Sequence, residues 1–475
     1  MQAENKCAML THFPRFFSFR AIICYVVTLA LVSSFFIRFA MPFQFVLFGL
    51  TFVIVFFTYS NKLSIKWYKL PTRTYTKKLF ISALIIRIIY VIFIYFYYIE
   101  MTGEPHGYHA GDELSYQYWG SIWRENGFAQ MADTMSQIYF SDRGYPWWLG
   151  FEYLLLGTHV LPARIVKCII SAFSCVLMYN LAKRNFGEAA GRITGIFCML
   201  MPSMWFYCGI TLKECEMAFM TILFVERADL AFRSPKLSLG SLILPGVIIL
   251  IMFTFRTALA GVLVAALLAA LIMSSGKQLQ TWKKILYSLL FAVWMFLTVG
   301  AEMVEETQML WEGRESNQIE GYQERSSRSG GNAFARYATA SVFAPLIFTI
   351  PFTTMVKVDM QETQMLLNGA FFIKNVLSGL TIFALILLLV RGDWRKHVLS
   401  IAVTAGYLVV LVFSNFAHSE RFHFPVLALE LMFAAYGVSQ LTNKHKRWYV
   451  IWLVGICIAN IVWNWIKLAG RGFAV

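Results

Sequence analysis

An all-α, polytopic integral membrane protein of about thirteen transmembrane helices is the fold class this sequence predicts, on three observations. Of its 475 residues, 58% are hydrophobic and only 14% charged, which is too apolar for an ordinary soluble domain. The apolar residues fall in blocks of membrane-spanning length. The basic residues behind the net charge of +15 come in short groups between those blocks, as they do in cytoplasmic loops. That distribution excludes nucleic acid as a partner and names membrane lipids instead. Cys24, Cys168, Cys175, Cys198, Cys208 and Cys457 lie inside apolar runs without disulfide or zinc spacing, so they read as packing residues.

The elements follow in order. Block 21–37 has basic residues before it, as a secretory signal would, but no small-residue cleavage site follows and block 42–59 comes at once. Both therefore read as retained spans. The next stretch holds Lys62, Lys66, Lys69, Arg73, Lys77 and Lys78 with no acid, which predicts a cytoplasmic loop. Span 79–98 then exits to a segment holding Glu100, Glu104, Asp112, Glu113, Glu125, Asp133 and Asp142 against Arg124 and Arg143. That segment is predicted to lie on the outer face.

Spans near 160–181, 193–207 and 217–230 return Lys183, Arg184, Arg233 and Lys236 to the inside, turning outside at TLKECE, 211–216. Spans 242–255 and 259–273 turn outside at Arg256, and 285–299 leads to a second outer loop with a flexible tip at SSRSGGN, 326–332. SVFAPLIFTIPFTT, 341–354, is short and contains Pro345 and Pro351; as a span it would put Arg391, Arg395 and Lys396 outside. It is predicted to be interfacial or re-entrant. Spans 369–390, 398–414, 425–441 and 449–466 complete the set and leave the C-terminus external. The organisation predicted is 1–78, two extra spans and a basic loop; 79–300, a core including outer loop 99–146; 301–368, the second outer loop with its interfacial segment; and 369–475, C-terminal helices.

Two adjacent carboxylates mark the first outer loop, in HAGDELSYQYWGSIW, 109–123. A helix beginning at Asp112 puts Ser115, Tyr116 and Trp119 on its side, making an amphipathic interfacial helix. From spacing alone Asp112 reads as an acid favoured by the free N–H groups of a helix start, with an aromatic belt behind it.

The neighbouring segments add to this. DRGYPWWLGFEYLLLG (142–157), PARIVKCIISAFSCVLMYNLAKRNFGEAAGRI (162–193), MLMPSMWFYCGITLKECE (199–216) and HSERFHFPVLAL (418–429) follow in order. With GDE, 111–113, this series resembles the GT-C superfamily of polyprenyl-phosphate-sugar-dependent glycosyltransferases, which includes protein O-mannosyltransferases and the aminoarabinose transferases of lipid A. The likeness covers roughly the middle third of the chain and the late segment. It departs from the family in its two preceding spans, in Tyr145-Pro146-Trp147 where a His-Pro-Pro segment is usual, and in lacking a large C-terminal soluble domain.

The resemblance implies a GT-C-like core with interfacial helices in the first outer loop. It also implies inverting transfer of a sugar from a polyprenyl-phosphate-linked donor to a hydroxyl acceptor (glycan, lipid or protein), at the outer, periplasmic face of a bacterial inner membrane. Such transfer needs a base for the acceptor proton and cations for the departing phosphate. The resemblance implies Asp112 as base, while Glu113 either positions Asp112 or a cation, or caps the helix. Asp142 and Arg143 bind substrate hydroxyls or form a solvated turn before Pro146. Lys213, Arg256 and Arg421 sit at predicted outer helix ends, where cations are least expected, and read as phosphate ligands or as separate headgroup contacts and salt bridges. Glu214 and His418, from the matched segments, and Arg164, near the outer end of its span, join the site. Arg87 is expected to snorkel inward. His106, His109, Asp112 and Glu113 could collect a divalent cation, or the histidines are solvent-exposed.

Two other readings fit the composition. A polysaccharide polymerase or O-antigen-ligase-like enzyme, using a diphosphate-linked glycan, would place its key cations at Arg314, Arg325, Arg328 and Arg336. A lipid or solute transporter would have charges at mid-membrane and repeated halves, which this sequence does not display.

Overall fold

The computed structural model describes residues 10–234, 240–273, 343–413 and 417–473, with isolated positions between them. Most of the span expected at 285–299, the SSRSGGN tip, and Arg314, Arg325, Arg328 and Arg336 lie outside the described residues. In chain order the helices are α1 Arg15–Phe35, α2 Phe43–Trp67, α3 Thr72–Thr102, α4 Gly111–Asn126, α5 Phe128–Ser136, α6 Phe140–Leu156, α7 Val160–Phe186, α8 Glu188–Leu200, α9 Pro202–Phe206, α10 Glu214–Arg233, α11 Gly240–Phe255 and α12 Thr257–Met273. After these come α13 Glu362–Leu366, α14 Asn368–Val390, α15 Val398–Val412, α16 Glu420–Ser439 and α17 His445–Ala469. Among the described residues the sole β pairing is an isolated bridge between Ala40 and Val356.

Among the described residues, eight helical stretches are long and apolar enough to cross a membrane: α1, α2, α3, α7, α14, Asp393–Val412, α16 and α17. This is an integral multi-pass membrane protein. α11 and α12 are apolar but shorter, and α10 carries charged residues at both ends. The span expected at 193–207 is broken, because α8 stops at Leu200 and Pro202 opens the one-turn α9. Proline lacks the N–H needed to continue a helix but fits its first turn.

α16 is the centre of the bundle, with 94% of its most apolar stretch buried. Close approach there depends on glycine: a Cβ at Gly437 would stand 2.4 Å from the Leu380 carbonyl oxygen of α14. On the other flank, Arg87 does not snorkel. Its guanidinium is fully buried, donating to Ser171 Oγ of α7 at 2.8 Å and to the Cys198 carbonyl of α8 at 3.2 Å. Acceptors within reach at mid-helix spare the side chain the extension to water that the sequence suggested, and it ties α3, α7 and α8 together.

From Phe343 to Val358 the chain forms a short 3₁₀ turn, Ala344–Leu346, and then an extended strap. Amide side chains satisfy its backbone: Thr353 N–H donates to Asn460 at 2.7 Å, Met355 N–H donates to Asn464 at 2.8 Å, and Asn375 donates to the carbonyls of Thr349 and Pro351 at 2.6 and 2.9 Å. Irregular backbone is tolerated inside a membrane protein only where such partners exist.

Candidate active site

The ends of α3 and α6–α11 that carry the acidic loop converge on the start of α16. Gly103, at φ 81°, ends α3, and α4 begins at Gly111 with both carboxylates in its first turn, where a helix N-terminus favours negative charge. No side chain caps α4, so neither acid is an N-cap. The buried face of α4 is Glu113, Tyr116, Gly120 and Ile122, whereas Asp112 projects with 62% of its side chain exposed. Of the aromatics expected beside Asp112, Tyr116 is buried and Trp119 half-buried.

Glu113 organises the loops. Its carboxylate accepts from the N–H of Gly107 at 2.9 Å, the N–H of Thr211 at 2.6 Å and Arg164 at 3.3 Å. Burial alone would push this carboxyl up, but His106 at 3.9 Å, Arg164 and the two N–H groups hold it below the usual range. Lys167, one turn past Arg164, holds the other side of loop 207–213 by donating to the carbonyls of Ile210, at 3.1 Å, and Leu212.

Cations gather in front of this scaffold. Arg421, in the first turn of α16, bridges Asp112 and the fully buried Glu214. Lys213 meets Asp142 at 2.5 Å and the Ser141 carbonyl at 3.0 Å, and Tyr116 donates to Asp142 at 3.1 Å. Burial would raise the Asp142 carboxyl, yet Lys213 and Tyr116 hold it low; burial lowers the Lys213 ammonium despite the pull of Asp142, and Arg256 adds to the lowering. Arg256 fills the break between α11 and α12. It lies 4.3 Å from the centre of the Phe422 ring and 3.4 Å from the Tyr407 hydroxyl, while Arg421 lies 5.9 Å from the same ring. Two guanidiniums thus share one aromatic residue, and Arg256 is held by neutral groups.

Asp112, Glu214, Lys213, Asp142, Arg256 and Arg421 come together, with Glu113 and Arg164 as their support. Arg143 turns away: it donates to the carbonyls of Ile138 and Ser136 at 2.9 and 3.2 Å. His418 stands in an aromatic wall, 5.0 Å from Trp463 and 5.6 Å from Phe343. His109 pairs with Glu362 at 2.8 Å, and Glu113 is spent on Arg164 and backbone, so the expected metal donors do not converge. Among the described residues no three His, Cys, Asp or Glu side chains cluster as metal ligands. Sequence reasoning placed Tyr116 beside Asp112 without a role in the site, and missed Thr211, Tyr407 and Phe422. Phe422 adjoins Arg421, but nothing in the local pattern marks Tyr407.

A carboxylate facing grouped cations at one end of a multi-pass bundle describes a membrane enzyme, and the comparisons say of which kind. The family model described as dolichyl-phosphate-mannose-protein mannosyltransferase matches residues 144–301, and that of the Alg9-like mannosyltransferase family matches residues 336–469. The chain is a glycosyltransferase of the GT-C superfamily. Among solved structures it is similar to ArnT from Cupriavidus metallidurans bound to undecaprenyl phosphate, with 14% identity, 82% of this chain and 74% of that one covered, and a TM-score of 0.46. The apo form of that protein is similar at 13% identity, covering 75% of this chain and 69% of that one, with a TM-score of 0.42. No curated protein matches in sequence.

Proposed function

We propose that this enzyme moves a sugar from a polyprenyl-phosphate donor to a hydroxyl acceptor on the face opposite its basic loops, the outer face of a bacterial cytoplasmic membrane, with inversion at the anomeric carbon. The observation that carries the reading is Arg421, which joins a projecting carboxylate, Asp112, to a site where Arg256 and Lys213 also present positive charge. Asp112 takes the acceptor O–H proton as the acceptor oxygen bonds to the anomeric carbon. The bond from that carbon to the phosphate oxygen breaks, its electron pair stays on the phosphate, and polyprenyl phosphate leaves with one more negative charge. Arg421, Arg256 and Lys213 meet that charge where it grows, which is where preorganised cations lower a barrier most. The dolichyl-phosphate-mannose description of the matching family supports a donor of this class.

The test is Asp112→Asn in the purified protein, reconstituted in lipid nanodiscs with a labelled polyprenyl-phosphate hexose. Loss of a general base is expected to lower kcat by about 10²–10⁴-fold with the fold intact. Transfer at the wild-type rate would remove Asp112 from the chemistry.

A further inference from the structure

Arg421 stands in a stretch of helix that its own sequence leaves loose. α16 starts at Glu420, and Ser419 before it makes no side-chain cap, so the first turn lacks the bond that commonly closes a helix start. Pro425 lies inside the helix, four residues after Arg421. Having no N–H, it cannot donate to the Arg421 carbonyl, and a proline ring crowds the carbonyl at that spacing. The turn that carries the Arg421 guanidinium to Asp112 and Glu214 is therefore the part of α16 least held by the helix itself.

A buried relay from α14 holds that turn instead. Lys374 donates to the Ile350 carbonyl of the strap at 2.6 Å and meets Nδ1 of His423 at 2.9 Å. An ammonium can only donate, so Nδ1 accepts and the ring proton sits on Nε2. Nε2 in turn donates to the Ala417 carbonyl at 2.8 Å, which ties the chain before α16 to its first turn across Arg421. With both nitrogens engaged, the fully buried imidazole has one tautomer and one orientation. Two more contacts grip the same turn: Ser203 of α9 donates to Glu420, and the Phe424 ring lies 4.3 Å from that of Tyr207.

Stability alone gives no reason for a lysine at this place. Buried ions can often be replaced by apolar side chains of similar size without loss of stability, and charges kept inside a membrane bundle mark function. The acids near Lys374 are Glu420 and Glu430, both on α16, so the ammonium draws that helix to α14 by charge as well. The hydrogen bonds of Lys374 and His423 go to Ile350, Ala417 and each other, and neither residue joins the group around Asp112.

We infer that Lys374 and His423 are positioning residues, which act on sugar transfer through Arg421 by fixing the first turn of α16. The inference rests on the transferase reading above. The experiment follows release of labelled mannose from undecaprenyl-phosphate mannose, to water or to octyl glucoside, by the reconstituted full-length enzyme. His423→Phe removes both ring hydrogen bonds and should lower kcat about tenfold or more, the scale of a small misplacement of a reacting group. The donor KM should stay within about twofold, because the cations that hold the donor remain. His423→Gln, which keeps one acceptor and one donor, should recover most of the loss, and Lys374→Met should match His423→Phe. In an Arg421→Lys background, His423→Phe should cost no more than about twofold further, since residues that act through one group are not additive. A variant that merely misfolds loses the same factor in both backgrounds. Equal losses in the two backgrounds, full activity in His423→Phe, or a glutamine variant no better than phenylalanine would each overturn the inference. If the wild type releases mannose and the losses are additive, only the positioning role falls; if the wild type releases none, the transferase reading falls and this inference with it.

Discussion

The two ends of the bundle use arginine in opposite ways. At the basic-loop end, Arg192 donates to the carbonyls of Trp67, Tyr68 and Leu70 at 2.5, 2.7 and 2.6 Å and to Glu188 at 2.6 Å. Arg184 meets Asp229 at 2.6 Å and Glu226 at 3.1 Å, and Arg233 meets Asp229 at 2.9 Å. These guanidiniums are spent on closing helix ends, where terminal carbonyls otherwise lack donors. At the acidic-loop end, Arg256 rests on a ring and a phenol, and Arg421 is partly exposed. A cation saturated by carbonyls and acids away from solvent stabilises a fold, whereas Arg256 on its neutral groups has charge left for a ligand and Arg421, although paired with Asp112 and Glu214, keeps part of its side chain exposed.

Substitutions can break or sharpen that contrast. Arg421→Lys is expected to have the largest effect, because an ammonium lacks the planar fork that spans Asp112 and Glu214. A loss of about 10²–10³-fold in kcat, at near-constant thermal stability, would match removal of one preorganised donor. Arg192→Met should do the reverse, stranding the α2 carbonyls and lowering stability by about 1–3 kcal/mol in detergent unfolding while folded protein keeps its turnover. Arg143→Ala should be the mildest at neutral pH, with kcat inside about twofold, since Arg143 donates to the loop carbonyls of Ile138 and Ser136.

Lys213→Arg tests the same contrast through pH. Burial lowers the Lys213 ammonium below its ordinary value of 10.5, so the positive charge proposed to hold phosphate is lost, as pH rises, at a lower pH than for a free lysine. Arginine stays charged. The alkaline limb of a kcat/KM profile should therefore move upward in the variant, and an unmoved limb would detach Lys213 from phosphate binding.

Much of this was legible in the sequence. Block length and basic clusters mark the helices because bilayer thickness and loop charge act on local composition. Asp112, Lys213, Arg256 and Arg421 could be singled out as charges at the ends of apolar blocks. The sequence could not say that Glu113 and not Asp112 faces Arg164, a partner 51 positions away from Glu113. Arg87 was misread for the same reason: Ser171 and the Cys198 carbonyl, which spare it the reach to water, are 84 and 111 residues distant. Tyr407 and Asn460 are likewise ordinary residues until helix packing gives them a neighbour.

Arg421 lies 309 residues after Asp112 and 207 after Glu214. Chains are made and inserted from the N-terminus, and earlier segments can fold while later ones are still being synthesised. The loops that hold Asp112 and Glu113 can therefore assemble well before α16 arrives. Until it does, Asp112 and Glu214 are two carboxylates without the guanidinium that joins them in the folded chain.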